Sequence, residues 1–192
     1  MAMADAPQTP LVQIAAGDFV TCAIDMDGAV HCWGKDVAGS TFEPDGAFVQ
    51  ISASDAYSTC AISSEGDVQC WGQFVNGRHR DAVYTLKGSF TQVTVGDDWV
   101  CAINVSACLF MTGWLSLVSN HVAQELSRLQ CAGGHDKVFK LPNMKVPKDK
   151  FLEISSSGRS LCGVLFDPPH RVKCWGSREL VANLPEDIIP SV

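Results

Sequence analysis

The chain reads as an all-β protein, a partial β-propeller of about four blades, and three observations carry that reading. The first is a phrase spelled twice: residues 22–34 are CAIDMDGAVHCWG and residues 60–72 are CAISSEGDVQCWG. The second is a strand-like lead that opens at residues 11, 48, 90 and 151, with its first two steps about 40 residues long, the spacing of a propeller blade. The third is that the first 100 residues hold no sustained 3.6-residue hydrophobic period, so the architecture falls to short strands bounded by Gly, Asp and Ser. A three- or four-strand unit cannot bury both faces of its sheet alone, so such units must stack.

The leads are LVQIAAG, FVQISAS, FTQVTVG and FLEISSS, and each is followed by a cysteine: Cys22, Cys60, Cys101 and Cys162. Three copies close on Cys-Trp-Gly, at 32–34, 70–72 and 174–176, and the third closes on Cys131-Ala132-Gly133. The expected organisation is one propeller-repeat domain over 11–192, with repeats at about 11–47, 48–89, 90–150 and 151–192, after a flexible N-terminus at 1–10.

Within the first repeat, Asp25 to Ala29 suits a three-residue hairpin loop with Gly28 in the left-handed conformation, and Gly66 repeats this in the second. That register sets Ile24 opposite Val30, Cys22 opposite Cys32, Ile62 opposite Val68 and Cys60 opposite Cys70. Directly opposed cysteines at a non-hydrogen-bonded site come within disulfide reach. The fourth repeat stretches the loop through Phe166-Asp167-Pro168-Pro169-His170-Arg171, but keeps Cys162 and Cys174 an even number of residues apart, as are Cys101 and Cys131 in the third. Eight cysteines are thereby disulfide candidates within their own repeats, with Cys108 left over; reduced, buried thiols stand as the alternative. Metal ligation is disfavoured, since the spacing is not C-x2-C and no histidine recurs in register. Trp33, Trp71 and Trp175 read as blade-packing residues ahead of a stacking platform for sugars or bases.

The third repeat lacks the acidic-Gly turn and carries an irregular or helical insertion at about 104–128, either a native flap or non-native coding. Its apolar window, 107–118, is too short to span a bilayer. The triplet Asn104-Val105-Ser106 makes Asn104 a glycosylation candidate.

A net charge of −7 argues against a general affinity for nucleic acid or anionic membrane, and the lysines between Lys137 and Lys150 read as a solvated connector. The N-terminal residues have neither the basic start nor the apolar run of a signal peptide. No catalytic constellation emerges: His31, His79, His121, His135 and His170 recur with no acid and nucleophile, and phosphate-cradling glycine patterns are missing. No cofactor is expected.

The stretch IAAGDFVTCAIDMDGAVHCWG, with its apolar lead, acidic-Gly turn and Trp-Gly close, resembles the regulator-of-chromosome-condensation repeat family. The resemblance runs from about 11 to 176 and implies β-propeller blades, commonly seven to a ring. Its cysteine-bearing form is similar to repeats of extracellular members such as crinkly-type receptor kinase ectodomains, which implies paired cysteines and an extracellular or secretory setting. It also implies that loops between the first and second strands of each blade face a partner. Here these hold Asp18 and Phe19, Asp55 and Tyr57, Asp97, Asp98 and Trp99, and Arg159, and packing of the aromatics between blades stands as the alternative. The expected function is a non-catalytic protein-binding module, a piece of or a partner to a larger receptor or secreted protein, with open propeller edges available for self-association. The alternative implied by the family is a small-GTPase regulator of the guanine-nucleotide exchange type. The nuclear members' histidine before the second strand is missing, with Val20, Ser58, Trp99 and Ser160 standing there.

Overall fold

The structure, a computed structural model, describes residues 9–73, 83–97, 99–105, 127–133, 148–158, 160–176 and 189–190. Four sheets follow one another along the chain, each built from one repeat. The first holds β1 (Leu11–Ala16), β2 (Val20–Asp25) and β3 (Val30–Gly34). The second holds β4 (Phe48–Ala53), β5 (Ser58–Ser63), β6 (Val68–Gly72) and an outer β7 (Tyr84–Leu86). The third holds β8 (Phe90–Val95), β9 (Trp99–Val105) and β10 (Ser127–Gly133). The fourth holds β11 (Phe151–Ser157), β12 (Ser160–Leu165), β13 (Val172–Trp175) and β14 (Ile189–Pro190), which pairs parallel to β13 where every other pairing is antiparallel. No α-helix occurs among the described residues, and the sheets are the blades of a partial propeller.

The hairpin register is the one the turn chemistry requires. Cys22 faces Cys32 and Ile24 faces Val30; Cys60 faces Cys70 and Ile62 faces Val68. Gly28 and Gly66 take positive φ, 86° and 91°, where a side chain would be strained. Asp25 closes the first turn by accepting the Asp27 and Ala29 amides, each at 2.9 Å, and Ser63 accepts the Asp67 amide at 3.2 Å in the second. Four disulfides lie inside the blades: Cys22–Cys32, Cys60–Cys70, Cys101–Cys131 and Cys162–Cys174, with Cα atoms 4.0–4.1 Å apart, as expected of narrow antiparallel pairs. The reduced-thiol alternative is set aside for these eight.

The third blade narrows the expected insertion. Asn104 and Val105 continue β9, and Ser127 and Arg128 begin β10, so its ladder runs unbroken from Val105↔Ser127 to Trp99↔Gly133. Only 106–126 of that segment, including Cys108, lies outside the described residues, because both its ends extend the hairpin. Asn104 is 8% exposed on β9, and Ser106 lies outside the described residues.

Each lead strand carries a bulge at the same place, between Leu11 and Gln13, Phe48 and Gln50, Phe90 and Gln92, and Phe151 and Glu153. One extra residue shifts the two-residue alternation, so side chains three positions apart reach the same face. Phe48 and Ile51 therefore both pack on Val20, Cys22, Ile24 and Val30 of the preceding blade. Phe90 and Val93 meet Cys60, Ile62 and Val68 in the same way, and Phe151 and Ile154 meet Trp99, Cys101 and Ile103. Each such aliphatic residue contributes roughly 1.5–3 kcal/mol on full burial, so the three interfaces are the core.

The bulge also positions a glutamine. Gln13 accepts the Ile51 amide at 2.9 Å, Gln50 accepts the Val93 amide at 2.7 Å, and Gln92 accepts the Ile154 amide at 2.8 Å. Three blade junctions are thus closed by one repeated side chain-to-backbone bond.

Candidate protein-binding rim

The loops between first and second strands gather along one edge of the blades. Gly17 lies against the Ser54 carbonyl with no room for a Cβ, and the Asp97 amide donates to the Gly158 carbonyl at 2.9 Å. These contacts join first blade to second and third to fourth, so the loops form a rim held mainly by backbone.

The Trp-Gly close of the repeat builds this rim from the opposite strand. Gly34 pairs with Val20, and a Cβ on it would run into the Phe19 carbonyl; Gly72 meets the Tyr57 carbonyl in the same way. The following amides then reach those carbonyls, Lys35 to Phe19 at 2.7 Å and Gln73 to Tyr57 at 3.0 Å. Glycine after tryptophan lets the third strand draw the loop tight.

Two aromatic rings stand on the rim. Phe19 is 46% exposed and its ring stacks on Tyr57 of the next blade, with centroids 5.5 Å apart and planes 20° from parallel. The Lys35 Nζ sits 5.3 Å from the Phe19 centroid on the cation–π face. Tyr57 holds φ at +60°, a left-handed backbone that a bulky side chain adopts only at a cost of order 1–3 kcal/mol. Asp18 and Asp55 are exposed beside the pair. The patch offers a flat apolar surface with one cation and two acids around it.

The sequence grouped Trp99 with these rings. The structure places it at the start of β9, 5% exposed, in the core against the fourth blade. Residues 99, 101 and 103 share one face of the strand, which points at Phe151 and Ile154. Asp97 is half-buried on the rim, while Asp98 and Arg159 lie outside the described residues. Of the three tryptophans that close their repeats, Trp71 is 0% and Trp175 4% exposed, whereas Trp33 is only half-buried.

Two carboxylates away from the rim are held below their ordinary value. The His31 ring bonds Asp25 at 2.8 Å, and that hydrogen bond, with the Ala29 and Asp27 amides, lowers the Asp25 pKa against the opposing effect of burial. Lys87 bonds Asp67 at 2.6 Å and, with the Gly88 amide, lowers the Asp67 pKa; Asp67 in turn raises that of Lys87. Both fasten turns. Among the described residues no three His, Cys, Asp or Glu side chains gather to hold a metal ion.

Residues 11–39 and 48–78 match the Regulator of chromosome condensation (RCC1) repeat. No curated protein matches the chain by sequence. Among solved structures, the CRINKLY WD40 ectodomain of the Arabidopsis thaliana receptor kinase ACR4 superposes with a TM-score of 0.62 at 20% identity, over 90% of this chain and 55% of that one. Human WBSCR16 gives 0.56 at 13% identity, over 90% and 49%. Prp20p of Saccharomyces cerevisiae, described for its binding to Gsp1p and histones, gives 0.56 at 15% identity, over 93% and 47%. The chain therefore spans about half the length of these structures, and at such identities the likeness is one of fold. The first two blades are therefore regulator of chromosome condensation repeats by sequence, and the next two carry the same plan in a chain folded as a partial β-propeller.

Proposed function

We propose that the chain is a non-catalytic protein-binding propeller module, working in an oxidising compartment as a piece of or a partner to a larger receptor or secreted protein. The observation that carries this is the Phe19–Tyr57 stack, an exposed ring on a half-buried one, formed across two blades and held by a left-handed Tyr57 backbone. Strained, solvent-facing aromatics cluster where surfaces meet partners, since they bring large area at little side-chain entropy. Asp18 and Asp55 beside the rings favour a partner that presents basic groups around an apolar contact. Four disulfides support the oxidising setting. Two structural neighbours act in keeping with it: one is a receptor kinase ectodomain and another binds proteins.

The test is capture on immobilised chain. Proteins retained by the wild type and by a Met26→Ala control, whose side chain is 72% exposed in the β2–β3 turn, are expected to be lost from a Phe19→Ala/Tyr57→Gly double variant. Equal capture by all three overturns the rim as the binding surface. Exchange activity on a small GTPase is the second reading, favoured by the likeness to Prp20p. A nucleotide-release assay in which the chain accelerates loss of bound GDP would replace the first reading with the second.

A further inference from the structure

The first blade has the same incoming face as the other three, but in the first blade it is open. Ile14 is 61% exposed, whereas Ile51, Val93 and Ile154, its counterparts, are 3%, 1% and 3% exposed. Those three are buried by the preceding blade. Trp33 is likewise half-buried where Trp71 and Trp175 are enclosed.

The fourth blade is open on the opposite, outgoing side. Cys22, Cys60 and Cys101 are 0% exposed beneath the blade that follows them, whereas Cys162 is half-buried, as is Val164, the counterpart of the enclosed Ile24, Ile62 and Ile103. Glu153 stands where Gln13, Gln50 and Gln92 each accept an amide of the next blade, and its side chain is exposed. A carboxylate accepts that bond as an amide oxygen does.

We propose that a second copy of this chain covers both faces: two copies join head to tail, the fourth blade of each seated on the first blade of the other, closing one eight-bladed ring. The chain already contains this interface three times, in the same order of faces and with the same bulge-borne acceptor. What fits an incoming face is an outgoing face of this repeat, and this chain's own unpaired one carries the acceptor in place. In the ring Glu153 accepts the Ile14 amide of the second copy, and Ile14 fills the pocket beside its Val164. Head-to-tail contacts that close give a finite assembly with no free edges.

Sedimentation equilibrium of the oxidised chain tests this. The expected species is a dimer of twice the 20.6 kDa chain mass, with no growth to larger assemblies as concentration rises. Ile14→Asp and Glu153→Lys change exposed side chains, so each is expected to keep the strand signal and all four disulfides while weakening dimerisation ~100-fold. Mixed together, the two variants regain a dimer, because one junction then joins two wild-type faces and the other sets Asp against Lys. A monomeric wild type, an open-ended ladder of oligomers, or a dimer lost in Ile14→Asp but kept in Glu153→Lys (the mark of first blade meeting first blade) each overturns the proposal.

Discussion

Gln50 grips Val93 at both ends of its backbone: the Val93 amide donates to Oε1 at 2.7 Å, and Nε2 donates to the Val93 carbonyl at 3.1 Å. A single side chain from the second blade thus stands in for a strand neighbour at the edge of the third. Hydrophobic faces press the blades together without direction; this bond sets their register.

Gln50→Ala leaves both Val93 groups without their partner, and the expected loss is about 1–3 kcal/mol. Urea unfolding followed by far-ultraviolet circular dichroism measures it. Gln50→Glu keeps the acceptor and loses the donor, so it is expected to fall between wild type and Ala. A Gln50→Ala midpoint equal to wild type would show that the junction rests on apolar packing alone.

Tyr57 separates stability from binding. Glycine accepts φ of +60° freely but loses more conformational entropy on folding, and the two effects nearly cancel. Tyr57→Gly is therefore expected to shift stability by less than about 1 kcal/mol while weakening partner capture. A large destabilisation would mean that the ring serves the fold.

The bridges predict a labelling pattern. With eight of nine cysteines paired, alkylation of the denatured, unreduced chain is expected to mark one site, and alkylation after reduction nine. Three bridges close loops of 10, 10 and 12 residues, worth roughly 2.5–3 kcal/mol each in chain entropy, and the fourth closes one of 30, worth roughly 3.5 kcal/mol, so reduction should lower the thermal midpoint sharply. Intact-mass spectrometry and a melting curve read the two outcomes.

Acid should weaken the fold through Asp25 and Asp67. Both have folded-state pKa values lowered from 3.8, so the stability they add is present above that value and is lost as pH falls through their lower folded-state values. Urea midpoints are expected to decline below about pH 4, and Asp25→Asn with Asp67→Asn should flatten that decline. Lys87 is raised from 10.5, so its share persists below that value and vanishes as pH climbs beyond its folded-state value.

Much of this architecture is legible in the sequence because hairpin parity is strict. Cysteines flanking a turn with a left-handed glycine must face each other, so Cys22–Cys32 and Cys60–Cys70 follow from counting. The glutamine junctions do not follow. Gln13, Gln50 and Gln92 stand in plain view in the leads, but their reach depends on a bulge that simple alternation does not anticipate. Position assigns Trp99 to a loop, with packing between blades as the alternative, and strand alternation turns it into the core. Phe19 and Tyr57 both stand out in their loops, yet their stacking joins residues on different blades, a relation that a one-dimensional reading of either loop does not contain.

The Cys101–Cys131 bond ties together two strands, Trp99–Val105 and Ser127–Gly133, that are joined in sequence by residues 106–126. A protease that severs the polypeptide anywhere between those two sulfurs leaves the fragments covalently joined. Nicked material would migrate as a single species until a reducing agent is added, then fall into two, so a cleaved molecule keeps its first two blades joined to its fourth.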